Sequence, residues 1–390
     1  MMAENYKRIA KEILKEAFVL IDAGKAKYKG AAMVMAPIFT AENIGEGYIQ
    51  RVKAIDTEIL CDRYNVYVDF ETKNPQPTLT QVDDRHLLIT INSHDKPCAK
   101  AAAALAKKCG LLYTHSVMRA MADIIGEDIH RLYRIKNLVK IWDVHGSVPE
   151  EFALADNYFE AQNAQQAEEL FVDNSTIIIT VNLAMKSHLE KKYGKVLDNV
   201  VVLPIFGDLS PCEGDIFAQK ADFKLPTAVY AGGLQPWQNI PLMHTTIKRA
   251  QDSYRYKIFV PDPEEYKNLW GVSPLPPDCE ISSKTPSEVL QQYKQCHYGF
   301  VLRDDITVNN VACPTKLIEY LQYGIVPVLK TSKIGDFEAL GMQYITYESF
   351  VQEPQTESQY QKMARENLLV LDRLAFAHKT GKEELQRRLL

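Results

Sequence analysis

Short apolar runs alternate along this chain with longer stretches in which apolar residues recur every third or fourth position. The runs read as buried strands and the stretches as amphipathic helices. In the first half, strands are predicted at Ala31–Ala36, Asn65–Phe70, Leu87–Ile91, Leu111–Tyr113, Leu138–Trp142, Thr176–Val181 and Val200–Leu203. A helix is predicted at Tyr48–Leu60, and a lead helix over residues 4–23 puts Ile9, Ile13, Leu14, Ala17, Val19 and Leu20 on or near one face. In the second half the strands are Ala228–Ala231, Lys257–Val260, Glu280–Ser282, Gly299–Leu302 and Ile325–Leu329. Helices fall at Ile240–Gln251, Glu264–Leu269 and Pro286–Gln295, and a further one opens at Pro314 and stops at Gly324. Such alternation implies parallel sheets covered on both faces by helices, an α/β architecture.

The two runs of alternation are separated by Phe206–Leu225, polar and flanked by turn residues, which reads as an interdomain linker. At 390 residues the chain is also too long for one typical domain. The expected organisation is a domain over 1–205, a second over 206–354, and a C-terminal segment over 355–390. That segment is helical in pattern, holds too few strands to extend a sheet, and is expected to pack across the domain boundary.

The chemistry most specific to this sequence lies in Tyr298–Lys330. Pro314 suits a helix's first turn, where its missing N–H is not needed. Free N–H groups at Thr315 and Lys316, with the positive helix end, form a seat for phosphate. Arg303 arrives at the end of the preceding strand, and Glu319 shares a helix face with Lys316. A carboxylate one turn beyond a phosphate seat can accept hydrogen bonds from both hydroxyls of a ribose. An ordinary capped helix with an exposed Lys–Glu pair explains the spacing equally well. Gly232-Gly233 after a strand, with Gln238 beyond, is either a tight turn or a close backbone approach to ligand.

In the first half, His94, His115 and His145 each follow the carboxyl end of a strand, on the rim where open α/β sheets bind ligands. His145, flanked by Asp143 and Gly146, is the expected functional one. Ser147 and Glu150 have the spacing of a capping box. No H-x-H or H-x-x-x-H spacing supports a metal site, and none is expected. Gly45-x-Gly47 lacks the third glycine of a dinucleotide fingerprint and reads as a turn or a ligand contact.

Composition narrows the partners. With 46% hydrophobic and 24% charged residues the chain is globular, and a net charge of −5 argues against nucleic acid as a partner. Seven scattered cysteines without a C-x-x-C read as reduced thiols of a cytoplasmic protein. The start of the chain is charged throughout and resembles no signal peptide. From Lys7 to Lys29 lysine and arginine outnumber acids seven to three. This lead helix either packs on its own domain or lies peripherally on an anionic inner-membrane surface.

The Gly-Gly turn, the P-T-K-x-x-E-Y helix and the segment WDVHGSVPEE resemble the GT-B-fold glycosyltransferases, in particular the bacterial family 4 enzymes that build cell-surface polysaccharides. The resemblance covers most of the chain. It implies two doubly wound Rossmann-like domains facing each other across a cleft, with a C-terminal helical segment crossing between them. It implies transfer of a sugar from a nucleoside diphosphate sugar, such as a UDP-sugar, to a glycan or lipid-linked acceptor, with retention of configuration and no metal cofactor. By position, Glu319 matches the ribose-binding glutamate, and Thr315 and Lys316 match the helix start at the diphosphate. Gly232 and Gly233 match the turn beside the phosphates. His145 matches the first-domain histidine beside the donor sugar, and Gly45–Gly47 the turn facing the diphosphate.

The sequence also departs from that pattern. The family's second glutamate, eight positions before the first, is here Val311, and its usual Arg and Lys after the first glycine are Gly233 and Gln238. Arg303, Lys316 and helix-end N–H groups must then meet the phosphate charge, with Asp304, Asp305 or Asn309 as substitutes for the missing acid. If the reaction inverts, His145 or Asp143 is the expected base. The degenerate positions also admit a non-catalytic partner subunit, and the fold admits a nucleotide-sugar epimerase.

Overall fold

The computed structural model describes residues 2–389 apart from 45, 71–76, 92–95, 121–131, 205–208 and 221. Two compact units make up the chain. The first is Met1–Val181 with Lys186–Leu203 and Gly381–Leu390, and the second is Asn182–Met185 with Pro204–Thr380.

The first unit is built on strands β1 (Ala31–Met35), β2 (Tyr64–Phe70), β3 (Thr78–Gln81), β4 (His86–Ile91), β5 (Leu111–His115), β6 (Val139–Val144), β7 (Ile177–Thr180) and β8 (Val200–Val202). They form one sheet in the order β3-β4-β2-β1-β5-β6-β7-β8, parallel except for β3. Helices α1 (Met2–Lys27), α2 (Gly47–Glu58), α3 (Lys96–Cys109), α4 (Val148–Leu154) and α5 (Tyr158–Asn174) connect them, and α6 (Leu183–Tyr193) begins in the second unit and ends in the first. All five residues of β1 are buried, as a central parallel strand covered on both faces requires. The edge strand β3 is legible only in three dimensions. Its sequence, TLTQ, holds one apolar residue, and pairing with β4 in the register Thr78↔Thr90 makes it a strand.

The apolar face of α1 is used inside this unit. Ala17 and Ile21 are fully buried, and Ile13, Leu14 and Ala17 line one small cavity together with Ile89, Ala101 and Leu105. Packing on its own unit is therefore the role this face fills, and a membrane contact would rest on the basic flank alone. No helix among the described residues is long and apolar enough to cross a membrane.

The second unit has strands β9 (Thr227–Ala231), β10 (Arg255–Phe259), β11 (Cys279–Ser282), β12 (Tyr298–Val301), β13 (Val326–Leu329) and β14 (Ile345–Thr346). They lie in the all-parallel order β11-β10-β9-β12-β13-β14. Its helices are α7 (Ile240–Arg249), α8 (Pro263–Trp270), α9 (Pro286–Tyr293), α10 (Thr307–Asn310), α11 (Thr315–Gln322), α12 (Tyr347–Gln352) and α13 (Glu357–Leu389), the last ending in the first unit. Helix α9 starts on a complete capping box, Thr285 and Glu288 bonding each other's backbone N–H. The C-terminal segment is a single helix of 33 residues.

The polar stretch read as a linker is, from Leu209 onward, part of the second unit. Leu209 packs on its core, and the Cys212 N–H donates to the Gln322 carbonyl at 2.9 Å. The Lys220 ammonium donates to the carbonyls of Tyr293, Cys296 and Tyr323 at 3.4, 2.5 and 2.6 Å. Tyr293 is the last residue of α9 and Tyr323 follows α11, so one cation closes two helix C-termini. Composition misled here because a lysine's burial depends on carbonyls far away in sequence.

Candidate functional site

The second unit gathers its predicted residues at the carboxyl edge of β9 and β12. Helix α11 starts at Thr315, with Pro314 as its N-cap (φ −68°, ψ 121°) and no side-chain cap. Pro314 is thus one position ahead of the expected first turn. The turn's first backbone bond runs from the Leu317 N–H to the Pro314 carbonyl at 3.0 Å, leaving the Thr315 and Lys316 N–H groups ahead of the helical ladder.

Lys316 folds back over the start of the site. Its Nζ stands 4.1 Å from the centre of the Tyr230 ring and donates to Gln238 Oε1 at 3.1 Å. Gly232 (φ +151°) makes room for it, since a Cβ there would lie 2.7 Å from Lys316 Nζ. The Tyr230 hydroxyl donates to the Gly233 carbonyl, bracing the turn. Burial, and then the nearby Arg303, push the Lys316 ammonium well below the usual lysine range, with Glu319 opposing. Burial raises the Glu319 carboxyl, against the Tyr293 hydroxyl and Lys316. Arg303 is 8% exposed just past β12. Arg303 beside Lys316 disfavours the lysine's charge, a penalty that an anionic ligand at this edge would relieve.

The residues offered as substitutes for the missing glutamate are otherwise engaged. Asp304 accepts from Asn239 Nδ2 at 3.2 Å and pairs with Lys330. Asp305 pairs with Lys333 at 2.6 Å and accepts from Asn310 at 2.7 Å. Asn309 is fully buried and donates to the Asp304 carbonyl at 3.0 Å. Val311 itself is 4% exposed.

In the first unit, His115 and His145 meet, His115 Nδ1 lying 3.0 Å from His145 Nε2. Asp143 Oδ2 is 3.4 Å from the former and 3.5 Å from the latter. Arg51 of α2 binds both oxygens of that carboxylate, and the Tyr113 hydroxyl donates to Oδ2 at 3.1 Å. Burial alone would raise the Asp143 carboxyl, but Arg51, His145 and His115 hold it well below the usual carboxylate range. Burial pushes His115 down to about 4. Tyr48 covers the outer histidine, its ring centre 4.9 Å from that of His145, while its hydroxyl donates to the His115 carbonyl at 3.2 Å. Asp143 is fully buried and His145 retains 12% side-chain exposure, so Asp143 stands behind the rings and His145 in front.

His115, Asp143 and His145 are also the one group among the described residues spaced as a metal site could be. The guanidinium on both Asp143 oxygens opposes a cation there, and the arrangement suits ring orientation better. The expected capping box is absent. Ser147 caps α4 without a side-chain bond, and the Glu150 carboxylate pairs with Lys192 at 2.8 Å instead of reaching back to it. Burial would raise the Glu150 carboxyl, but His188 and Lys192 hold it down at about 2.

Gly45 and His94 lie outside the described residues. Gly47 opens α2, exposed, and a Cβ placed there would meet nothing within 4 Å. Arg51, Tyr113 and Tyr230 were not legible as site residues. Arg51 alone carried a signal, a charge on the stripe of Ile55 and Val52 that α2 buries.

No protein-family model and no curated protein sequence matches the chain. Solved structures do. The chain is similar to a sucrose-phosphate synthase from Thermosynechococcus elongatus at 12% identity and TM-score 0.62, covering 92% of this chain and 99% of that one. It is similar to Anabaena HepE, solved with UDP and glucose, at 11% identity and TM-score 0.63, covering 92% and 100%. A glycosyltransferase from Rickettsia africae matches at 13% identity and TM-score 0.61, covering 93% and 99%. At these identities the likeness establishes the fold alone, the GT-B fold with its two Rossmann-like units.

Proposed function

We propose that the chain is a glycosyltransferase that takes a sugar from a nucleoside diphosphate sugar and passes it to a glycan or lipid-linked saccharide. The observation that carries this reading is the placement of Lys316 against Gly232 in the first turn of α11, with Glu319 one turn on. In this reading the diphosphate sits on the Thr315 and Lys316 N–H groups with Arg303 and Lys316 as counter-charges. Glu319 accepts from the ribose hydroxyls. HepE, of like fold, was solved with UDP and glucose, which favours a UDP-sugar as donor.

In the reaction, the bond from the anomeric carbon to the diphosphate oxygen breaks as the acceptor hydroxyl bonds to that carbon. The negative charge gathers on the departing diphosphate, where preorganised N–H groups and cations lower the barrier most. The acceptor proton leaves with the diphosphate on the same face, giving retention without a protein nucleophile. Arg303, Lys316 and helix N–H groups meet the phosphate charge, so no metal ion is required. By the family resemblance, His145 is the histidine that stands beside the donor sugar. A role in bacterial surface polysaccharide synthesis, at the cytoplasmic side of the inner membrane, fits the family resemblance.

Calorimetry of the purified protein with UDP, GDP and ADP tests the seat. Binding of one nucleotide, abolished or weakened about tenfold or more in Glu319→Ala, is the expected result. A non-catalytic partner subunit is the second reading, favoured by the buried Val311 and by the pairing of Asp304 and Asp305 with lysines. Silence from all three nucleotides would support it.

A further inference from the structure

We infer that Arg51 and His115 are positioning residues for His145: they hold its ring with Nε2 turned inward and select its tautomer. This rests on the reading of His145 as the histidine beside the donor sugar, but its geometry stands independently.

His115 Nδ1, His145 Nε2 and Asp143 Oδ2 form a closed triangle with sides of 3.0, 3.4 and 3.5 Å. Two hydrogens cannot both occupy a 3.0 Å gap between ring nitrogens. In the neutral rings one hydrogen therefore lies within the triangle, one nitrogen donating and the other accepting. The carboxylate cannot turn away, because Arg51 Nε and Nη2 hold its two oxygens at 3.0 and 2.9 Å and Tyr113 adds a third bond. His115 is 1% exposed, and its burial favours the neutral ring. The Tyr48 ring, 4.9 Å away between centres, packs against the His145 ring and limits its rotation. With Nε2 committed inward, Nδ1 is the ring nitrogen left to face a substrate. The tautomer choice is thus made behind the ring, as a buried carboxylate fixes a catalytic imidazole elsewhere.

The test is nitrogen-15 NMR of histidine-labelled full-length protein, with wild type compared to His115→Phe and to the double variant Arg51→Met/Asp143→Leu. The double variant removes both buried charges together and so avoids stranding one of them. Wild-type His145 is expected to show a single tautomer at neutral pH, and both variants a mixture of two. UDP affinity, read by calorimetry, is expected to stay within about twofold, while turnover of the UDP-sugar the protein uses falls at least about tenfold in kcat with KM for that donor little changed. A His145 tautomer identical in wild type and both variants would overturn the inference, whatever the activity. Loss of folding in one variant leaves the other to decide. Absence of UDP binding with a changed tautomer would count against the proposed function alone.

Discussion

Arg51 Nε and Nη2 hold both carboxylate oxygens of Asp143, at 3.0 and 2.9 Å, in a pair whose side chains are 2% and 0% exposed. One partner comes from α2 and the other from the end of β6, so the pair ties a helix to the strand that delivers His145. Arg51→Ala would leave a buried carboxylate without its counter-charge. The expected cost is about 3–5 kcal/mol, read as a lower urea midpoint. Arg51→Met with Asp143→Leu should recover most of it. If the single variant melts like wild type, the pair is not a determinant of this unit's stability.

Two histidines of the first unit should give opposite pH signatures. Fully buried Asp56 is bonded by Asn65 and Tyr67, each at 2.8 Å, and by His86 Nε2 at 3.1 Å, with Arg85 beside it. Burial would lower His86, but Asp56 and Asp83 raise it above 6.5. A raised folded-state value stabilises fully below pH 6.5 and loses that contribution as pH climbs through it. His115, held down at about 4 by burial, does the reverse, stabilising above pH 6.5 and losing that contribution as pH falls toward 4. Urea unfolding across about pH 4–9 should lose part of its alkaline decline in His86→Gln and part of its acid decline in His115→Phe. Unchanged slopes in both would contradict the assignment.

Gly232→Ala should strike nucleotide binding more than folding. The new methyl would stand 2.7 Å from Lys316 Nζ at a backbone φ of +151° that side chains rarely adopt. The lysine tip can swing aside, so a cost of about 1–2 kcal/mol in stability is expected. UDP affinity should fall roughly tenfold or more as Lys316 leaves Gln238. Calorimetry beside a thermal melt separates the two effects.

Lys220→Met should loosen the second unit. It would leave the carbonyls of Cys296 and Tyr323 without the donor they share with that of Tyr293, which keeps the Cys296 N–H at 3.0 Å. Desolvated acceptors of this kind cost about 1–3 kcal/mol each when stranded, less where water reaches them. Burial already brings the Lys220 ammonium down to about 8. Hydrogen exchange should show faster opening at the C-termini of α9 and α11, and unchanged exchange there would argue that the lysine is incidental.

What the sequence determined by itself was local. The all-apolar run of β1 read as a buried strand, and the run Tyr298–Val301 followed by Thr315–Gln322 announced the strand that leads to Arg303 and the helix that bears Lys316 and Glu319. Those signals lie within a turn or two of one another, where periodicity and spacing are informative. The tertiary structure alone decided that Asp143 belongs to Arg51, ninety-two positions away, and that Asp304 and Asp305 are spent on Lys330 and Lys333. It alone decided that Ser147 and Glu150 do not cap one another, that TLTQ is a strand, and that a supposed linker closes two helices through Lys220. The physical reason is common to all of these. A charged or polar side chain takes whichever partner folding brings within about 3 Å, and that partner is set by the packing of distant elements rather than by its neighbours along the chain.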